Sequence, residues 1–281
     1  MKKLWAWLTA LVTAGGSLGA EPQEITAGIF QVGVIDHPML RECSGVAACR
    51  SNTNLVWMHS DGRRPVLYAV SRGGKSLREY LLDAPGLADW EDIATDGAGR
   101  LFVADIGNNE AKRDQLAVYA FDEPDPAGKD GLLRTQQAWQ LRFPGKPFDC
   151  EAFFVWKDHG YLVSKVFNDQ KAGLYRFPLA PASGAVTLES LGNLPVTSPV
   201  TGADISPDGG KLALAAKSGV FLFDLTGEVP TAVKVKPRQA KFKDKHIEGI
   251  CFVPEGLLVT AETRAIYLFV EKAFGKPKKQ P

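Results

Sequence analysis

Glu248-Gly-Ile-Cys-Phe-Val-Pro-Glu-Gly-Leu-Leu-Val-Thr-Ala-Glu262-Thr-Arg-Ala-Ile-Tyr-Leu-Phe269 decides the fold, because one short stretch holds a polar opening, two apolar runs and an aromatic third. Runs this short, separated by Pro254-Glu-Gly256, read as strands joined by a hairpin turn. The unit occurs four more times. Glu42-Cys-Ser-Gly-Val leads into Asn54-Leu-Val-Trp-Met-His-Ser-Asp61 and Val66-Leu-Tyr68, and Glu91-Asp-Ile-Ala into Arg100-Leu-Phe-Val-Ala-Asp105 and Ala117-Val-Tyr119. Glu151-Ala-Phe-Phe leads into Gly160-Tyr-Leu-Val-Ser-Lys165 and Gly173-Leu-Tyr175, and Thr201-Gly-Ala-Asp-Ile into Lys211-Leu-Ala-Leu-Ala-Ala-Lys217 and Val220-Phe-Leu-Phe223.

The opening positions 42, 91, 151, 201 and 248 lie 49, 60, 50 and 47 residues apart, close to the ~40–50 residues of a four-stranded propeller blade. Asp96-Gly97, Asp158-His-Gly160, Pro207-Asp-Gly209 and Pro254-Glu-Gly256 supply turn chemistry between first and second strands. No mature segment keeps the apolar period of a helix. An all-β propeller of five blades follows, with six as the alternative if the long second interval hides a degenerate copy. Asn108 to Asp114 and Asp122 to Asp130 read instead as enlarged loops. Ile25 to Ile35 reads as a strand that completes the last blade and closes the ring.

Lys plus Arg number 33 against 32 Asp plus Glu, so there is no broad basic face for nucleic acid. Lys2 and Lys3, the apolar run Leu4 to Val12 and the small residues Gly15 to Ala20 have the layout of a signal peptide. Residues 1–20 therefore read as removed, and the mature protein as periplasmic or secreted. The apolar run falls short of the ~20 residues of a membrane span, so no stable membrane insertion is expected after cleavage. Cys43, Cys49, Cys150 and Cys251 admit disulfides in an oxidising compartment or stay buried thiols, and their spacing matches no zinc motif. Residues 21–271 form the propeller domain, and 272–281 read as a basic, disordered tail.

In a propeller the residues that open the first strands converge at one mouth of the channel. Four of the five are glutamates, Glu42, Glu91, Glu151 and Glu248, with Thr201 the exception. The second strands end on Asp61, Asp105, Lys165, Lys217 and Glu262, expected at the same mouth. Blades five, one and two are then acidic, while three and four carry cations. Crowded carboxylates repel, and Ca²⁺ relieves this by taking several oxygens. Glu42, Asp61, Glu91, Asp105, Glu248 and Glu262 are the candidate metal ligands, with Asn108 and Asn109 adding oxygens. Lys165, Lys217 and Arg264 suit an anionic group, and His59 and His246 fall near the mouth as bases or ligands. Glu91 and Glu151 are the candidate catalytic bases. The competing reading is structural: these glutamates accept backbone N–H groups and fix blade register, Glu151 and Lys165 form an internal salt bridge, and Trp90 is a packing residue or a wall of the mouth. No Gly-x-Ser-x-Gly elbow is present.

Glu42-Cys-Ser-Gly45 ahead of a Leu-x-Trp-x-x-Ser-Asp61 strand, Asp149-Cys-Glu-Ala152 and Ile247-Glu-Gly-Ile250 resemble the repeats of secreted phytase-like and lactonase-like propellers. The resemblance spans most of the mature chain. It implies a calcium-dependent propeller, in some members a phosphoesterase or esterase, with Glu42, Asp61, Glu91, Asp105, Glu151 and Glu248 at the matching positions. Thr201 departs from that pattern. Three functions are open: a propeller binding a cation and a small-molecule or protein ligand, a metal-dependent hydrolase of a phosphate ester or lactone, and a scaffold without ligand.

Overall fold

The computed structural model describes residues 21–275 apart from Arg63 and Lys245, so the expected signal peptide lies outside the described residues. Five antiparallel blades stand around one axis. Their innermost strands are Cys43–Ala48, Asp92–Thr95, Cys150–Trp156, Val200–Ile205 and Ile247–Val253, each packed against the next and the last against the first. Every hairpin turn read from the sequence joins a first to a second strand. The fourth strand of blade five is Ile29–Val34, antiparallel to Ala265–Phe269, so the two ends of the domain share a sheet and close the ring. The expected single N-terminal strand is divided, with Gln23–Thr26 folding back on Ile29–Val34.

The blades are also strapped on their outer rim. Gly131–Arg134, from the connection inside blade two, pairs in parallel with Tyr80–Asp83 of blade one, and Val186–Thr187 of blade three pairs with Leu141–Arg142 of blade two. The 3₁₀ turn Val229–Lys234 of blade four lies against Glu189–Asn193 of blade three, and Glu271–Phe274 lies against Arg238–Lys241 of blade four. The long second interval is thus a strap, which removes the six-blade alternative. Phe274 is buried, so packed structure continues past Lys272, where the tail was expected to begin.

Each innermost strand leaves one edge facing the axis without a strand to pair with, and a buried unpaired N–H costs ~1–3 kcal/mol. Side chains take up these groups. Asp92 accepts Ile93 N at 2.9 Å, Phe153 N at 2.9 Å and Ala203 N at 3.3 Å, which joins blades two, three and four. Asp204 accepts Ile205 N at 2.9 Å and Phe252 N at 2.8 Å, joining blade four to five. The Thr201 hydroxyl donates to Ile247 O at 2.9 Å and that of Thr260 to Cys43 O at 3.5 Å. Asp92 is fully buried and plugs the channel. All four cysteines are free, buried thiols; burial pushes the Cys43 thiol up to about 12.

Asp92→Ala strands two donors from other blades, so it is expected to lower unfolding free energy by about 3 kcal/mol in urea titrations. Asp92→Asn, which keeps one acceptor oxygen, loses roughly half as much. An unchanged midpoint for Asp92→Ala contradicts this account of ring closure.

Candidate functional site at the channel mouth

Hydrogen-bond register, not the spelling of the repeats, decides which residues meet at the mouth. Gly45, Asp92, Ala152 and Gly202 face His59, Ala104, Val163 and Ala215, equivalent points of their second strands. The residue before each makes the true ring: Ser44, Glu91, Glu151 and Thr201, joined by Glu248. In blades one, three, four and five this position falls in a register shift, and such a bulge leaves its extra residue unpaired and re-aims its side chain. Two residues earlier, just ahead of the inner strands, stands a second tier of Glu42, Asp89, Asp149, Pro199 and His246. Asp61, Lys165, Lys217 and Glu262 complete the site from the second strands.

Glu91 and Glu151 are buried, and Glu151 is ion-paired with Lys165, whose side chain is also largely buried. Burial, then the charges of Glu151 and Asp89, push the Glu91 carboxyl up to about 10. Burial and Glu151 push Glu248 up to about 9, with Glu262 hydrogen-bonded to it. Partial burial raises Asp61, helped by the charges of Glu42 and Asp89. Asp89 is raised by burial while Arg113 opposes the shift, and its carboxyl hydrogen-bonds that of Glu91. Burial also raises Glu151, against the pull of Lys165 and Lys217. Burial alone would depress Lys165, but Glu151 reverses this and holds it above the ordinary lysine value. Gly107 belongs to the site: a Cβ there would lie 2.4 Å from Asp89 Oδ2 and 2.5 Å from Glu91 Oε1, so a side chain would separate the two acids. Asp149 Oδ1 accepts the Asn108 and Cys150 N–H groups, both at 2.9 Å, and its buried Oδ2 has no hydrogen-bond partner among the described residues.

Several expectations change. Asp105 is one residue out of register with Asp61 and Lys165; the equivalent position is the buried Ile106, and a one-residue slip turns a side chain to the opposite face. Asp105 is tied instead to Arg113 at 3.0 Å and to Asp89 N at 2.8 Å. Asn108 is spent on Arg113, Phe148 and Asp149, shaping its loop. His59 is fully buried and stacked on the equally buried Trp90 at 4.1 Å, and neither ring nitrogen meets hydrogen-bond geometry with a partner among the described residues. Burial lowers its pKa to about 4, so it is a neutral packing group and Trp90 is no wall of the mouth. His246 is exposed and meets Glu262 at 3.0 Å. A shallow depression of about 350 Å³ lies between Arg41, Glu42, His246 and Glu262. Arg264 lines its neighbour, beside Glu262 rather than across from the acids with Lys165 and Lys217. Asp89 and Asp149 were missed; counting back two residues from the ring position finds both.

No protein-family model matches the chain, and no curated protein matches it. Among solved structures, a putative oxidoreductase (glucose dehydrogenase) of Thermus thermophilus superimposes with a TM-score of 0.49 at 10% identity, covering 86% of this chain and 99% of that one. The PQQ-bound aldose sugar dehydrogenase of Streptomyces coelicolor gives 0.49 at 12% identity, covering 88% and 99%. Similarity at this level carries no function across. The resemblance to phytase-like and lactonase-like propellers rests on the quoted motifs alone.

Raised carboxyl values make the folded state the stronger proton binder, so stability is greatest in acid and falls as pH rises. For Glu91 the loss begins near the ordinary value of 4.5 and continues to about 10. Thermal melts without added cations are expected to fall steadily from pH 5 to pH 9 in the wild type, and less steeply in Glu91→Gln. Equal slopes in the two proteins would show that Glu91 is not buried among these charges.

Proposed function

We propose that this chain is an exported ligand-binding β-propeller whose channel mouth receives a positively charged ligand, either a small molecule or a basic side chain of a protein partner. One observation supports this above the others: burial, with the charges of neighbouring acids, raises the carboxyls of Asp61, Asp89, Glu91 and Glu248, and the ring opposes them chiefly with Lys165 and Lys217, of which Lys165 is already bonded to Glu151. Without a ligand, protons supply the missing positive charge. A bound cation replaces those protons and turns mutual repulsion into attraction.

Calcium fits the chemistry of these oxygens but not their placement. It gathers 6–8 oxygens around one point, whereas among the described residues no three His, Cys, Asp or Glu are grouped to hold a metal ion. The acids follow an arc across blades five, one and two. A cation whose charge is spread along a chain, such as a polyamine or a lysine- or arginine-bearing segment, matches an arc better than a point ion does. The hydrolase reading has less support, since burial raises the Glu91 carboxyl to about 10 and Glu151 is held by Lys165, which leaves neither as a free base.

Isothermal titration at low ionic strength with spermidine and, separately, calcium chloride tests the reading. Spermidine is expected to bind with proton release, and Glu248→Gln to weaken it about tenfold, the ~1.5 kcal/mol of a hydrogen bond to a charged group. Binding of calcium alone, or affinity unchanged in Glu248→Gln, would count against it.

A further inference from the structure

We infer that the ligand of the channel mouth carries a carboxylate beside its positive charge, and that Arg41 and Arg264 hold this carboxylate in a depression on the rim between blades five and one. The inference rests on the cationic reading of the mouth and adds the second half of the ligand. The depression measures about 430 Å³ and is lined by Pro38, Arg41, Glu262, Thr263 and Arg264. It adjoins the depression of about 350 Å³ that holds Glu42 and His246, with Arg41, Glu262 and Thr263 common to both. The outer hollow thus runs into the acidic mouth.

Both arginines are held in place yet lack a charge partner. Arg41 Nε donates to Pro38 O at 3.2 Å, its one side-chain hydrogen bond among the described residues. Arg264 turns the hairpin between Gly256–Ala261 and Ala265–Phe269: its N–H donates to Ala261 O at 2.8 Å, and its carbonyl accepts Ile35 N at 2.8 Å. Its φ is 67°, in the left-handed region that favours glycine, so a long side chain is kept where turn geometry alone would select against one. Neither guanidinium has an ion-pair partner among the described residues. Glu262, the acid of the same hollow, is turned to His246 at 3.0 Å and hydrogen-bonded to Glu248. Charge then decides the class of anion. Two arginines against Glu262 leave one positive charge, which matches a carboxylate better than a phosphate with its nearly two negative charges. A guanidinium also presents paired N–H donors to the two oxygens of a carboxylate. A ligand bearing both a basic group and a carboxylate, with L-arginine its simplest form, carries the charges that the two hollows match.

Isothermal titration at low ionic strength with L-arginine and with agmatine, the same molecule without its carboxylate, decides the matter, with far-UV circular dichroism as the check on folding. The wild type is expected to bind L-arginine about tenfold more tightly than agmatine, as hydrogen bonds to a charged group warrant. Arg41→Gln and Arg264→Asn, the latter tolerant of a left-handed turn, should each remove most of that preference while binding agmatine no more weakly than the wild type does. Agmatine bound as tightly as L-arginine, or a preference that survives both substitutions, overturns the inference and leaves the cationic reading standing. Binding of neither ligand, nor of spermidine, overturns both.

Discussion

Five strands that crowd around an axis expose backbone donors and acceptors to a space too narrow for a sixth strand, and everything else in this protein depends on how those groups are satisfied. Asp92 resolves most of the problem. Its carboxyl accepts backbone N–H groups from blades three and four, and the equivalent positions in blades one, three and four are Gly45, Ala152 and Gly202. Thr201, Thr260 and Asp204 complete the set. The result is a plugged channel, which confines ligand chemistry to the mouth.

At that mouth the same geometry works against stability. The bulges that open the inner strands of blades three and five re-aim Glu151 and Glu248 into the mouth beside Glu91, and of these three acids only Glu151 has an ion-pair partner among the described residues, Lys165. Burying unpaired acids costs free energy that a purely structural ring would avoid by placing apolar residues there. Such conflicts between local stability and sequence collect at functional sites. The strapped outer rim and the inner edge bonds hold the scaffold rigid enough to keep these groups together.

The repeat itself was plain in the sequence, because hairpin turns and short apolar runs recur at blade spacing, and the ring closure by the N-terminal strand followed from a last blade lacking a fourth strand. Register was not. Glu42-Cys-Ser-Gly and Glu91-Asp-Ile look alike as strings, yet one bulged residue shifts the ring position of blade one to Ser44 and leaves Glu42 on the rim. Asp105 reads like Asp61 at the end of a second strand, but stands one residue short of it and turns away toward Arg113. Bulges leave no fixed spelling, so tiers built from them become visible only when hydrogen bonds are counted. His59 shows a different limit, because a histidine beside Ser-Asp has no sequence mark that tells a buried stacking partner of Trp90 from a ligand.

The claim that side chains across the axis seal the inner edges is tested most directly by amide hydrogen exchange at Phe153, Ala203 and Phe252 in the native protein. Bonds to Asp92 and Asp204 predict that all three exchange only through global unfolding, with protection matching the most stable sheet amides. Exchange at these amides as fast as in the surface turns would show that the axis is open to water, and the account of how this ring is held would be wrong.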